Sequence, residues 1–245
     1  VFSADLFQLA GEVFFDGDRY TDAAQCYMLA MSASREAGAY DLWACALTRH
    51  AYLGLYERRH GEASEMLTVA ERVALQGDSS LSTRHWVAAV QAQAFAGLGA
   101  LEDCERALER AEQVMELPAG SSNDGWLRFD GSRLAEERGA RYVELGRLDL
   151  AEQALTAALK QSPLAKGLSY RRRGAVLADL AIVGAKRRDI DETLTHAHEA
   201  VDLAKRSGSG YIARRLQSLR AELAPVASDA RIAELDSEIV ALNVS

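Results

Sequence analysis

Small residues recur along this chain on a fixed spacing. Ala151, Leu155 and Ala158 form an A-x3-L-x2-A core, with Gly139 twelve residues ahead of it and Tyr142 three beyond that glycine. The same pattern fits Gly11, Phe14, Ala23, Tyr27 and Ala30. It fits Ala51, Ala63, Leu67 and Ala70, then Ala92, Phe95, Cys104, Leu108 and Ala111, and finally Ala181, Thr193, Ala197 and Ala200. The starts lie about 40 residues apart, a period typical of helical repeats.

Each period reads as two helices. A turn divides them at DGDRY (16–20), RRHGE (58–62), GALED (99–103), GRLDL (146–150) and RRDID (187–191). Glycine or a polar residue followed by an acid suits such a turn and the N-cap of the next helix. Gly or Ala at a helix crossing lets two backbones approach, and a large partner side chain fills the remaining space. Composition agrees. Ala, Leu, Glu and Arg dominate, only three prolines occur, and hydrophobic residues make up 49% of 245 positions, which favours a helical globular chain. No apolar run reaches the ~18–20 residues of a membrane span.

The set Gly139, Tyr142, Ala151, Leu155, Ala158 and Pro163 resembles the tetratricopeptide (TPR) repeat, and Gly11, Phe14, Ala23, Tyr27 and Ala30 resemble it nearly as well. Gly54 and Gly184 stand where that family usually has an aromatic, and Thr193 where it has alanine. The resemblance covers about residues 4–206. It implies an all-α fold: a right-handed α-α superhelix, a TPR-like solenoid of about five helix pairs plus C-terminal capping helices. The expected extent is one domain over 1–245, with repeats at 4–38, 42–77, 84–118, 124–163 and 168–206 and capping helices at 209–243. Two stretches, LFQLAGEVFFDGDRYTDAAQCYMLAMSASREAG (6–38) and NDGWLRFDGSRLAEERGARYVELGRLDLAEQAL (123–155), further resemble the C-terminal TPR region of actinobacterial transcriptional regulators that carry a phage-repressor type helix-turn-helix. No such DNA-binding motif occurs in residues 1–245. Contact with DNA is therefore expected only through a domain absent from this chain, or the chain is a stand-alone repeat domain.

In the TPR family the first helix of each pair lines a concave face. That geometry turns Gln8, Glu12 and Phe15 inward, with Arg49, Tyr52, Tyr56, Trp86, Gln93, Arg133, Glu136 and Ala140. Arg172, Arg173, Arg214 and Arg215 would close the far end. Arginine forks grip carboxylates bidentately, and Trp and Tyr supply rigid contact area. The mixture suits a short peptide or a small acidic ligand. Replacing Arg49 and Tyr52 together is expected to weaken binding with little loss of stability.

Charge is uneven. Residues 1–150 carry 14 basic and 24 acidic side chains, and residues 151–245 carry 14 and 12. The acidic balance argues against non-specific nucleic-acid binding. Arg171–Arg173 and Lys186–Arg188 are solvated helix ends, a surface for an acidic partner or second copy, or a contact to DNA phosphate; no aromatics interleave with them as stacking on bases would need.

Catalysis has no evident seat. His196 and His198 sit two apart and diverge on a helix, Glu136 and Glu137 are adjacent and diverge too, and the glycines of GLG (97–99) and GSG (208–210) follow no phosphate-loop pattern. No enzyme activity, cofactor or metal site is expected. Cys26, Cys45 and Cys104 form no CxxC pair, which fits a reducing cytoplasm and buried thiols. PAGSSNDG (118–125) reads as a loop. Ile232, Leu235, Ile239 and Leu242 form one apolar stripe, which either caps the array or pairs two copies into a homodimer. The expected function is ligand sensing and protein interaction in a cytoplasmic bacterial transcriptional regulator, with a peptide, a partner protein or a small-molecule signal in the groove. The alternative is a scaffold that holds a partner's segment and has no DNA-linked role.

Overall fold

The computed structural model describes residues 1–118, 127, 129–161, 164 and 168–242. Trp126, Pro163 and all of the expected 118–125 loop except Pro118 lie outside them. Twelve α-helices and no strand occur among the described residues. They are α1 (Phe2–Asp16), α2 (Tyr20–Glu36), α3 (Tyr40–Tyr56), α4 (His60–Ala74), α5 (Thr83–Gly97), α6 (Leu101–Glu112), α7 (Gly131–Glu144), α8 (Leu148–Leu159), α9 (Tyr170–Arg187), α10 (Ile190–Ser207), α11 (Gly210–Glu222) and α12 (Ala230–Ala241). The helices pack in sequential pairs. None is long and apolar enough to cross a membrane. The chain forms two compact units, Val1–Leu134 and Ala135–Ser245, with the boundary inside α7.

The repeat is visible in the backbone itself. Five turns join the two helices of a pair, and each carries one left-handed residue: Asp18, Arg58, Gly99, Gly146 and Arg188, at φ of 58–70°. The next helix begins two residues later every time. In each turn the N–H of the residue after the left-handed one, namely Arg19, Arg59, Ala100, Arg147 or Asp189, donates to the carbonyl of Phe14, Gly54, Phe95, Tyr142 or Gly184 at 2.7–2.9 Å. This is the six-to-one bond of a Schellman stop, and its acceptors occupy one position of the repeating pattern.

The acidic residues of these turns serve differently from the sequence expectation. Asp189 is an N-cap, accepting the Glu192 N–H at 2.9 Å. At the other four turns the cap is Arg19, Arg59, Ala100 or Arg147, with no side-chain bond. In three of these the acids, Glu62, Glu102 with Asp103, and Asp149, fall in the first helical turn, where carboxylates favour the positive end of the helix dipole, whereas Asp18 is itself the left-handed turn residue. Arg19 and Arg59 then pair three residues on, with Asp22 and Glu62.

Close crossing explains the small residues. A Cβ on Gly139 would lie 2.5 Å from the Leu155 side chain, which is fully buried. A Cβ on Gly11 would strike the Tyr27 ring. Both collisions span 16 residues, and the pairs Ala51–Leu67 and Ala92–Leu108 keep that spacing with all four residues buried. A second crossing point spans nine residues: a Cβ on Gly184 would sit 2.9 Å from the backbone nitrogen of Thr193. An aromatic at 184 would therefore be excluded by its own pair.

In unit 2, α7 from Ala135 onward through α12 share one core, from Val143 through Leu155, Leu180 and Ala197 to Ile239. Ile232, Leu235 and Ile239 are buried there beside Leu216, Leu219 and Leu223, and Leu242 packs at the edge. The stripe thus covers α10 and α11 of its own chain.

Candidate functional site

Unit 1 brings five of the expected residues, Gln8, Glu12, Arg49, Tyr52 and Trp86, into one chain of contacts and sets Tyr56 in an aromatic group with Phe15 and Tyr20. Gln8 and Glu12 lie one turn apart on α1, Arg49, Tyr52 and Tyr56 follow one side of α3, and Trp86 sits on α5. Arg49 is the hub. Its Nε donates to Glu12 Oε1 at 2.7 Å, a terminal nitrogen donates to Gln8 Oε1, and its guanidinium lies 5.7 Å from the Trp86 ring centre. Gln8 is buried and spends its amide N–H on the Leu42 carbonyl at 3.2 Å. Tyr52 stacks on Trp86 with ring centres 6.4 Å apart. Tyr56 meets Phe15 at 5.8 Å and Tyr20 at 5.1 Å.

Arg49 is only 8% exposed, so its fork is a fixture of the wall. What the face offers outward is the Glu12 carboxylate, 47% exposed on its side chain, and the Tyr56 ring, 49% exposed. Tyr52, Trp86 and Gln93 are half-buried. Tyr20 belongs to this aromatic group and was not among the sequence candidates. Burial first, then its hydrogen bond to Asp18, holds its hydroxyl protonated well above the usual tyrosine range. Arg133 is exposed, near the end of unit 1, and its backbone N–H donates to Asp130 at 3.0 Å. A cleft of about 390 Å³ also lies in unit 1, lined by Val1, Tyr40–Leu42, Gln76–Asp78 and Leu81 among others. It contains none of the expected site residues.

In unit 2 the expected arginines bind the protein's own acids. Arg172 pairs with Glu136 at 2.8 Å. Arg173 donates to Glu199 at 2.9 Å and to the Leu164 carbonyl at 3.1 Å. Arg215 holds Asp179 through two contacts of 2.7 and 2.8 Å. Arg214 is half-buried on α11, and Ala140 is buried. Arg171 lies 4.7 Å from the centre of the Tyr211 ring. Lys186 pairs with Glu222, and Arg187 with Asp149 and Glu152. The basic cluster is thus a set of ties between helices, with Arg188 holding the left-handed turn. An acidic ligand would have to displace these carboxylates.

No family model and no curated protein matches this chain.

The remaining titratable groups have structural surroundings. Burial pushes the Cys45 thiol up to about 12, so it is a poor nucleophile. Cys104 is buried as well, and none of the three cysteines forms a disulfide. No group of three or more His, Cys, Asp or Glu among the described residues forms a metal site. Burial also lowers His50 and His85 below the usual histidine range, the Arg59 charge adding to it at His50. Their folded pKa values lie below the unfolded value, so the unfolded chain takes up more protons on acidification. Their stabilising effect is complete above the unfolded value, about pH 6.5, and is lost as pH falls through the folded values. Melting temperature should fall between pH 7.5 and 5.5, and a His50→Asn, His85→Asn variant should show a shallower fall.

Proposed function

We propose that the chain is a TPR-like repeat domain, its pairs wound within each unit as a right-handed superhelix, that binds a peptide segment on the first-helix face of unit 1. The observation that carries this reading is the contact chain Glu12–Arg49–Trp86–Tyr52, which spans three successive first helices. The exposed Tyr56 ring, the half-buried Tyr52 and Trp86 rings and the Glu12 carboxylate favour a peptide with apolar anchors and a basic or amide group. Because the arginine forks are already engaged, the face suits such a peptide better than a small acidic ligand. The resemblance of residues 6–38 and 123–155 to transcriptional regulators supports a role as the sensing part of such a protein. Peptide binding would act there by favouring one of two conformations of the helix array.

Peptide display against the full chain, followed by calorimetry of the enriched sequences, tests the site. Tyr56→Ala should weaken binding about tenfold, or ~1.4 kcal/mol, with little change in melting temperature, because the ring is half exposed. Enriched peptides that bind the variant as tightly as the parent would rule out the face. Reporter transcription that responds to the same peptides would separate the regulator from a scaffold without a DNA-linked role.

A further inference from the structure

One position of the repeat directly follows the small residue at each helix crossing. After Gly11, Ala51 and Ala92 it holds Glu12, Tyr52 and Gln93, one on each first helix of unit 1. On α7 and α9 the same position holds Ala140 and Ile182, apolar and buried. Glu12 is exposed, and Tyr52 and Gln93 keep part of their surface open although a helix pair precedes each of them. In unit 1, then, this position stays open within the array and carries polar groups.

Two of those groups are uncommitted. Arg49 takes one oxygen of Glu12, Oε1, with Nε and Nη2 each at 2.7 Å. The other oxygen, Oε2, and the Gln93 amide have no hydrogen-bond partner among the described residues. The buried guanidinium holds the carboxylate in place, so its second oxygen is a pre-organised acceptor. Charge at this end is negative: Asp16 lies one turn beyond Glu12, and both act on the Tyr27 hydroxyl against Arg49. A cationic donor at Oε2 forms a charge-assisted bond, roughly twice as strong as one from a neutral amide.

We propose that the bound peptide crosses α1, α3 and α5 as an extended strand, with a lysine or arginine on Glu12 Oε2, an apolar residue against Tyr52 and a main-chain amide on Gln93; this rests on the peptide reading of the face. Packed helix axes lie about 8–10 Å apart, so the two steps from α1 to α5 span roughly 16–20 Å, or about five or six extended residues. The basic residue and the group on Gln93 are separated by that length, with the Tyr52 anchor midway. Glu12 thereby selects a basic peptide over a neutral one.

Random linear peptides displayed against the full chain supply the probe. Enriched sequences that Tyr56→Ala weakens should share one lysine or arginine, with an apolar residue about three positions away. Exchanging that basic residue for norleucine should weaken binding at least tenfold to the parent chain and less than twofold to Glu12→Gln, whose amide keeps an acceptor for Arg49. Glu12→Gln combined with Arg49→Met serves the same purpose if Glu12→Gln alone fails to fold, since it strands no buried charge. Tyr56-dependent peptides without a shared basic residue, or equal losses with parent and variant, would overturn this inference and leave the peptide face standing. A library that yields no Tyr56-dependent binder would overturn both.

Discussion

Arg215→Met should lower the stability of the protein by about 3 kcal/mol, at the low end of the cost of stranding one member of a buried ion pair. The reason lies with Asp179. Its side chain is 5% exposed, and Arg215 is the partner that reaches it from α11, 2.7–2.8 Å away. Removing the guanidinium leaves a carboxylate in the interior of unit 2 beside Val176, Leu180 and Val183. The arginine side chain keeps 29% exposure, so some water reaches the site and the largest penalties do not apply. Asp179→Leu combined with Arg215→Met should recover most of the loss, because an apolar pair of similar volume avoids desolvating two charges. Denaturant melts of the wild type, both single variants and the double variant give the coupling directly. A double variant no more stable than Arg215→Met alone would mean that the pair is not what the site depends on.

Gly184→Ala should cost about 2–3 kcal/mol, within the range for overpacking. A methyl there would sit 2.9 Å from the Thr193 nitrogen and 3.2 Å from its Cα. Backbone atoms cannot rotate aside, so α9 and α10 would have to separate where the Schellman bond from Asp189 to the Gly184 carbonyl closes the turn. Gly54 occupies the same repeat position, but its nearest neighbour for a new methyl is Ala63 Cβ at 3.5 Å. Gly54→Ala should therefore be neutral or gain up to ~1 kcal/mol, as glycine weakens a helix interior by about that much. Thermal melts of the two variants side by side check the contrast. A Gly184→Ala protein as stable as Gly54→Ala would refute the close crossing.

The pairing of helices was legible because the small positions repeat with the same spacing that the crossings demand. Gly139 and Leu155 collide across 16 residues, and the sequence shows that interval in every period. Two of the five helix stops were legible as well, since Gly99 and Gly146 stand at the left-handed position. Asp18, Arg58 and Arg188 adopt the same conformation without glycine, and only the period points to them. The ion pairs were not legible. Glu136–Arg172 and Asp179–Arg215 each span 36 residues, and which side of a helix turns toward its neighbour depends on packing that composition does not encode. Arg49 shows the consequence. Its pattern resembled that of a ligand contact, yet it is buried among Gln8, Glu12 and Trp86. Substituting it together with Tyr52 should disturb stability as well as binding, contrary to the sequence expectation.

Hydrogen exchange across the whole chain, with and without a display-selected peptide, tests the proposed binding face most directly. Binding on the first-helix face predicts added protection in α1, α3 and α5, over Phe2–Asp16, Tyr40–Tyr56 and Thr83–Gly97, with α2, α4 and α6 unchanged. Protection confined to α2, α4 and α6, or to unit 2, would contradict it.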